Sequence, residues 1–263
     1  MQKMKRRFLA LAFVSLVVTA LSAPAFADDL ADIMAHHVIR VAVPTDYPPF
    51  GFVGPDMKPK GLDIDMANLI AQKLGVQLQL VSVTAPNRVA YLQTNKTDLT
   101  ISSLGKTPER AKVIDFSIAY SPFFDAVFGS KGIHASSFGE LNGKVIAVTR
   151  GSMQDDELQR LAPGAIVKRF DDNNGTVAAF LSGQTQMFAS GTAVASAIEQ
   201  RHPDVDMALK VVLSNAPCYV GMNKGEPQLL AKVNQIIRQA KIDGDIDKLS
   251  KQWLGAPAGN LPE

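Results

Sequence analysis

One cysteine, Cys218, and one tryptophan, Trp253, occur in 263 residues. A lone thiol closes no internal disulfide, so the fold has to tolerate an oxidising compartment without covalent staples. The four histidines, His36, His37, His134 and His202, show no metal-ligand spacing and read as surface residues. There is no G-x-S-x-G and no histidine pair beside a nucleophile, which removes the familiar hydrolase arrangements. Nothing in the pattern calls for a metal or a cofactor.

An excess of either charge is missing too, once the start of the chain is set aside. It opens MQKMKRRFLALAFVSLVVTALSAPAFA, with Lys3, Lys5, Arg6 and Arg7 ahead of an apolar run from Phe8 to Leu21, closed by Ala25-Phe26-Ala27. That is the pattern of a secretory signal peptide over residues 1–27, with the mature chain beginning at Asp28. The run is too short for a membrane span and ends in small residues and proline. Arg6-Arg7 hints at twin-arginine export, but its spacing to Phe8-Leu9 fits the ordinary secretory route better. No cysteine follows the cleavage site, so no lipid anchor is expected. Without the signal, 23 basic residues face 25 acidic ones, a net charge near −2 that leaves no basic face for nucleic acid.

The remaining 236 residues are enough for one large domain or two lobes. Short β-branched runs at 38–44, 76–83, 97–104, 144–150, 165–171 and 186–191 predict strands, several apolar throughout as in covered parallel sheets. Stretches at 65–75, 88–96, 155–164, 175–183 and 192–201 have helical spacing, several closed by glycine. This β-α alternation marks an α/β protein, and it runs twice, over about 38–117 and about 144–201. An extended piece at 120–132 separates the two series, another at 211–225 follows the second, and 227–255 returns to helix. Two crossings imply two lobes, a two-segment hinge and a cleft between them. The expected division places residues 28–121 and 219–263 in the first lobe and 122–218 in the second.

Within SSLGKTPER (102–110), Thr107-Pro108-Glu109 reads as a helix start: cap, first-turn proline, first-turn acid. Arg110 then sits where the positive end of the helix dipole disfavours a cation by about 0.3–1 kcal/mol. Free N–H groups, dipole and guanidinium together make an anion seat. VTRGSMQDDE (148–157) offers a second helix start in the other lobe, with Gly151 giving backbone freedom and Ser152 a cap. Ligands of open α/β sheets bind beyond the carboxyl ends of strands, so the two starts are expected to face each other across the cleft.

Ordered stretches along nearly the whole mature chain resemble the bacterial extracellular solute-binding proteins of polar amino-acid ABC transporters. They are DYPPFGF (46–52), GLDIDMANLIAQKLGV (61–76), NRVAYLQTNKTDLTISSLGKTPERAKVIDFSIAYSPF (87–123), GKVIAVTRGS (143–152) and GEPQLLAKVNQIIRQAKIDGDIDKLSKQWLG (225–255). T-P-E-R followed by D-F-S is the most specific piece. The resemblance implies a two-lobed periplasmic-binding-protein fold of type II, a periplasmic location, a small-molecule ligand, an inner-membrane permease as partner and a monomer. It implies that Arg110 grips the ligand's carboxylate, with Ser103 and the backbone of Gly105 completing the seat. Tyr47 matches the aromatic that lies against the ligand, and beside an ammonium it would add about 0.5–2 kcal/mol. Arg88 matches an arginine that reaches the ligand in the branch that includes acidic amino-acid binders. Ser152 and Met153 match second-lobe residues meeting the carboxylate, although many relatives have serine or threonine at 153.

The largest departure is Gly191, where many relatives carry an aspartate for the ligand's ammonium. Ser190, Thr192, Asp46 or Asp171 takes over that role, or the alignment is off by a residue or two, or the ligand carries no amine. Cyclohexadienyl dehydratases resemble the same family and carry a general acid near this strand end. Here the stretch 190–195 reads SGTAVA, with no side chain to transfer a proton, which favours a receptor over an enzyme. A ligand-sensing partner of a membrane receptor would use the same lobe closure.

Overall fold

A computed structural model describes residues 29–263; the signal peptide assigned to 1–27 lies outside the described residues. The chain begins with α1 (Asp29–His36) and then β1 (Val38–Val43), in which Ile39 and Val41 are fully buried. A small antiparallel sheet follows, β2 (Asp46–Tyr47), β3 (Gly51–Val53) and β4 (Pro59–Lys60). It leads into α2 (Leu62–Leu74), whose Leu62, Met66, Ile70 and Leu74 recur at helical spacing on the buried face. Gly75 ends that helix in the left-handed region, φ 73°, where a side chain would be strained. β5 (Gln77–Ser82), α3 (Arg88–Gln93), β6 (Leu99–Thr100), α4 (Pro108–Ala111) and β7 (Ile114–Ser121) complete the first pass.

The second pass holds β8 (Phe124–Gly129), β9 (Val145–Thr149), α5 (Met153–Leu161), β10 (Ile166–Phe170), α6 (Asn173–Leu181), β11 (Met187–Gly191), α7 (Thr192–Arg201) and β12 (Ala208–Asn215). The chain then returns through β13 (Cys218–Asn223) to α8 (Pro227–Ile242) and α9 (Asp245–Leu254).

The two large sheets share one topology. The first has the order β5-β1-β6-β13-β7 and the second β10-β9-β11-β8-β12. In each, three strands run parallel, and the strand that has just crossed from the other lobe inserts antiparallel beside them. The crossings are short: residues 122–123 join β7 to β8, and residues 216–217 join β12 to β13. The N–H of Ala216 donates to the carbonyl of Phe123 at 2.8 Å, tying the two crossings together. Cys218, placed with the second lobe by its sequence neighbours, is the first residue of β13 in the first sheet.

The strand expected over 97–104 pairs only at Leu99–Thr100. Beyond it Ser103 adopts a left-handed backbone, φ 45°, which is uncommon outside glycine and breaks the extended run. The chain is held in that bend by Asp63 of α2, whose Oδ2 accepts both the N–H (2.7 Å) and the hydroxyl (3.1 Å) of Ser103. The parallel strand therefore ends early, and its loop turns towards the second lobe.

Candidate functional site

Thr107 caps α4 as its position implies, its hydroxyl oxygen accepting the N–H of Arg110 at 3.1 Å. The Arg110 side chain runs back over this turn rather than out to solvent. Its Nη1 donates to the carbonyl of Gly105 at 2.8 Å, and its Nη2 reaches across the cleft to the carbonyl of Gly151 at 2.9 Å. Arg88, buried at the start of α3, converges on the same place. It donates through Nε to Ala85, through Nη1 to the carbonyls of Ser102 and Ser103, and through Nη2 to Gly151 at 3.3 Å.

Two guanidiniums of the first lobe thus share one carbonyl oxygen of the second. Neither takes part in an ion pair among the described residues. Burial, and then the like charge of Arg88, push Arg110 down to about 10, while Asp156 and Asp125 pull it the other way. Arg88 is lowered as well, by burial. Carbonyl dipoles solvate these cations only in part, so a carboxylate arriving between them would meet strong, partly desolvated donors.

The second lobe supplies the facing wall. Gly151 turns with φ 67°, and a Cβ there would stand 3.2 Å from Cα of Pro86 in the first lobe. Ser152 caps α5, accepting the N–H of Asp155 at 3.2 Å, which leaves the N–H groups of Met153 and Gln154 in the unpaired first turn. The Met153 thioether packs on Gly105, where a Cβ would meet its sulfur at 2.8 Å.

Tyr47 is buried between two rings, stacking on Phe50 at 5.9 Å and on Phe123 at 6.2 Å between centroids. Its hydroxyl spans the lobes, accepting the N–H of Gly191 at 3.1 Å and the amide of Gln154 at 3.3 Å. Gln154 also donates to Asp125, a fully buried carboxylate on β8 whose other oxygen has no partner. Burial pushes Asp125 well above the usual carboxylate range, and Glu157 adds to the effect. Gly191 faces the ring of Phe123, and a Cβ on it would come within 2.5 Å of Cζ. An aromatic ring fills the space that a side chain at 191 would take.

Between the lobes lies a cavity of about 30 Å³, room for one or two waters. Tyr47, Arg88, Ser103, Gly105, Ser152 and Met153 line it. Arg110 lines an adjoining, more open groove of about 600 Å³ together with Asp156 and Arg160, and Met153 borders both spaces. Seven of the eight residues singled out from sequence therefore border these spaces. Gly191 stands behind Phe123, and the donors of Ser103 are spent on Asp63.

This geometry coincides with a family-wide likeness. The profile of bacterial extracellular solute-binding proteins, family 3, matches residues 39–256, most of the chain. The chain belongs to that family. The L-cystine-binding protein TcyJ of Escherichia coli (strain K12) is 26% identical over 244 residues, covering 91% of this chain and 92% of its own. The crystal structure of the solute receptor for L-cysteine of Neisseria gonorrhoeae superposes with a TM-score of 0.81 at 28% identity, covering 86% of this chain and 93% of its own. The ancestral amino acid-binding protein AncCDT-1, a precursor of cyclohexadienyl dehydratase, does so with a TM-score of 0.78 at 31% identity, covering 86% of this chain and 99% of its own.

In this solute-binding protein the sequence reading missed the groups that position the site. Asp63 is fully buried and also accepts the hydroxyl of Tyr120 at 2.6 Å. It fixes the Ser102–Ser103 carbonyls that receive Arg88. The available signal was an acid at a core position of an amphipathic helix, next to Leu62 and Ile64. Burial raises its carboxyl to about 6, against the hydrogen bonds that hold it down. The folded chain therefore keeps a proton that the unfolded chain releases near pH 4, and this contribution to stability is lost as pH rises from about 4 to 6. Asp63→Asn is expected to gain about 2 kcal/mol relative to wild type between pH 4 and pH 7 in urea unfolding. An equal difference at both pH values would show that Asp63 titrates normally.

Proposed function

We propose that this chain is the periplasmic, monomeric receptor of an ABC importer. Residues 1–27 direct its export and are removed, and the lobes close on a polar amino acid that is handed to an inner-membrane permease. The observation that carries this reading is the pair of guanidiniums, Arg88 and Arg110, meeting between the lobes with only carbonyl partners. A ligand carboxylate bound there would touch first-lobe donors and the first turn of α5 together, and only closure allows both. The L-cystine and L-cysteine ligands in the names of the relatives are amino acids, in keeping with such a seat. A micromolar ligand requires about 8 kcal/mol net, within reach of a charged pair, several hydrogen bonds and an aromatic wall after ordering costs.

Thermal unfolding with polar amino acids at high concentration tests the reading. A true ligand at one hundred times its Kd stabilises the fold by about 2.7 kcal/mol, and no shift with any amino acid or small carboxylate would refute the assignment. Binding, rather than catalysis, also suits the strand end at 190–195, whose side chains carry no acid or base. Incubation with prephenate is expected to leave it unchanged.

A further inference from the structure

Fifteen residues line the cavity between the lobes, and they include one cation, Arg88, and one carboxylate, Asp46. Asp46 opens β2 in the first lobe, and its Oδ2 accepts the backbone N–H of Asn173, the first residue of α6 in the second lobe, at 2.8 Å. It forms no ion pair among the described residues. Neither of the other two acids nearby lines the cavity. Asp171 is exposed and pairs with Arg150, and Asp125 lies behind Gln154, outside the cavity lining. Position 191 has no side chain and no room for one.

The geometry points to Asp46 as the acceptor of an ammonium group on the ligand, so that the cleft holds a zwitterion between the two guanidiniums and this carboxylate. The inference rests on the receptor reading above and assigns the ammonium end of its amino-acid ligand to a residue of the first lobe. Burial holds the Asp46 carboxyl above its ordinary range against hydrogen bonds from Asn173, and Asp172 adds like charge, so an arriving cation supplies the counter-charge that these neutral donors do not. The bond to Asn173 joins the two lobes, and it occupies one of the two carboxylate oxygens. An ammonium with three donors can meet the remaining lone pairs while that latch stays closed.

The experiment is isothermal titration of wild type, Asp46→Asn and Arg110→Ala. Each is titrated with the standard amino acids and L-cystine, and then with the deaminated counterpart of the best binder. Asparagine keeps an oxygen for Asn173 but no charge, and Asp46→Ser serves as a second variant if the first folds poorly. Wild type is expected to prefer the amino acid at least tenfold over its deaminated counterpart. Asp46→Asn should weaken the amino acid 10- to 100-fold, leave the deaminated acid within about threefold, and unfold within a few degrees of wild type. Undiminished amino-acid binding by Asp46→Asn overturns the inference. So does wild type preferring the deaminated acid, an outcome that leaves the receptor reading standing as long as Arg110→Ala weakens binding at least about 30-fold. If wild type binds none of these probes, both fall.

Discussion

Replacing Arg110 with alanine is expected to weaken ligand binding by about 2–5 kcal/mol, about 30- to 4,000-fold, while the unliganded protein unfolds within about 1 kcal/mol of wild type. The two halves of this expectation have separate causes. In the structure Arg110 gives hydrogen bonds to Gly105 and Gly151, but it lies partly desolvated against Arg88 and pairs with no carboxylate among the described residues. Deleting it loses two bonds of about 1 kcal/mol each and removes a charge that was costly to place there. In the complex that charge has its counter-ion, and removing it leaves the ligand's carboxylate facing Arg88 alone. Arg110→Lys should fall between, because an ammonium restores the charge without the two-pronged fork. Titration of the best ligand into the three proteins checks the order. A variant that binds as wild type does would remove Arg110 from the site.

Gly191→Asp is expected to destabilise the fold by more than about 3 kcal/mol. A Cβ at 191 would stand 2.5 Å from Cζ of Phe123, and that ring is wedged against Tyr47 and Phe50. Overpacking of this kind costs about 1–3 kcal/mol. The new carboxyl group would also be buried in β11 directly opposite Asp125, its register partner in β8, with no counter-ion and little solvent. Phe123→Ala in the same chain opens the space. The double variant should therefore lose at least about 1 kcal/mol less than the two single losses added together. Urea unfolding of the four proteins measures this coupling, and strictly additive losses would show that the ring does not set the residue at 191.

Much of this architecture was legible because periodicity reports burial directly. The helical stretches at 192–201 and 227–255 and the strands at 145–149 and 166–170 recur close to where their apolar spacing put them. The extended crossings at 120–132 and 211–225 were visible as runs without helical period, and they carry the hinge. The shortened strand after 97 was not legible, because its end is set by Ser103 bonding to Asp63, forty positions earlier. The site divides in the same way. Arg110 stood out because a cation in the first turn of a helix is locally unfavourable and needs a reason. Its convergence with Arg88 on Gly151 depends on how the lobes meet, which no local pattern encodes. Gly191 was conspicuous as an absence, but the ring that replaces a side chain there comes from the crossing strand at 123.

A crystal structure of the protein with its amino acid bound tests the central claim most directly. It should place the ligand's carboxylate within about 2.7–3.1 Å of a guanidinium nitrogen of Arg110, with the first turn of α5 on its other side. A carboxylate bound beyond the reach of both Arg110 and Arg88, with those side chains still on the carbonyl of Gly151, would contradict it.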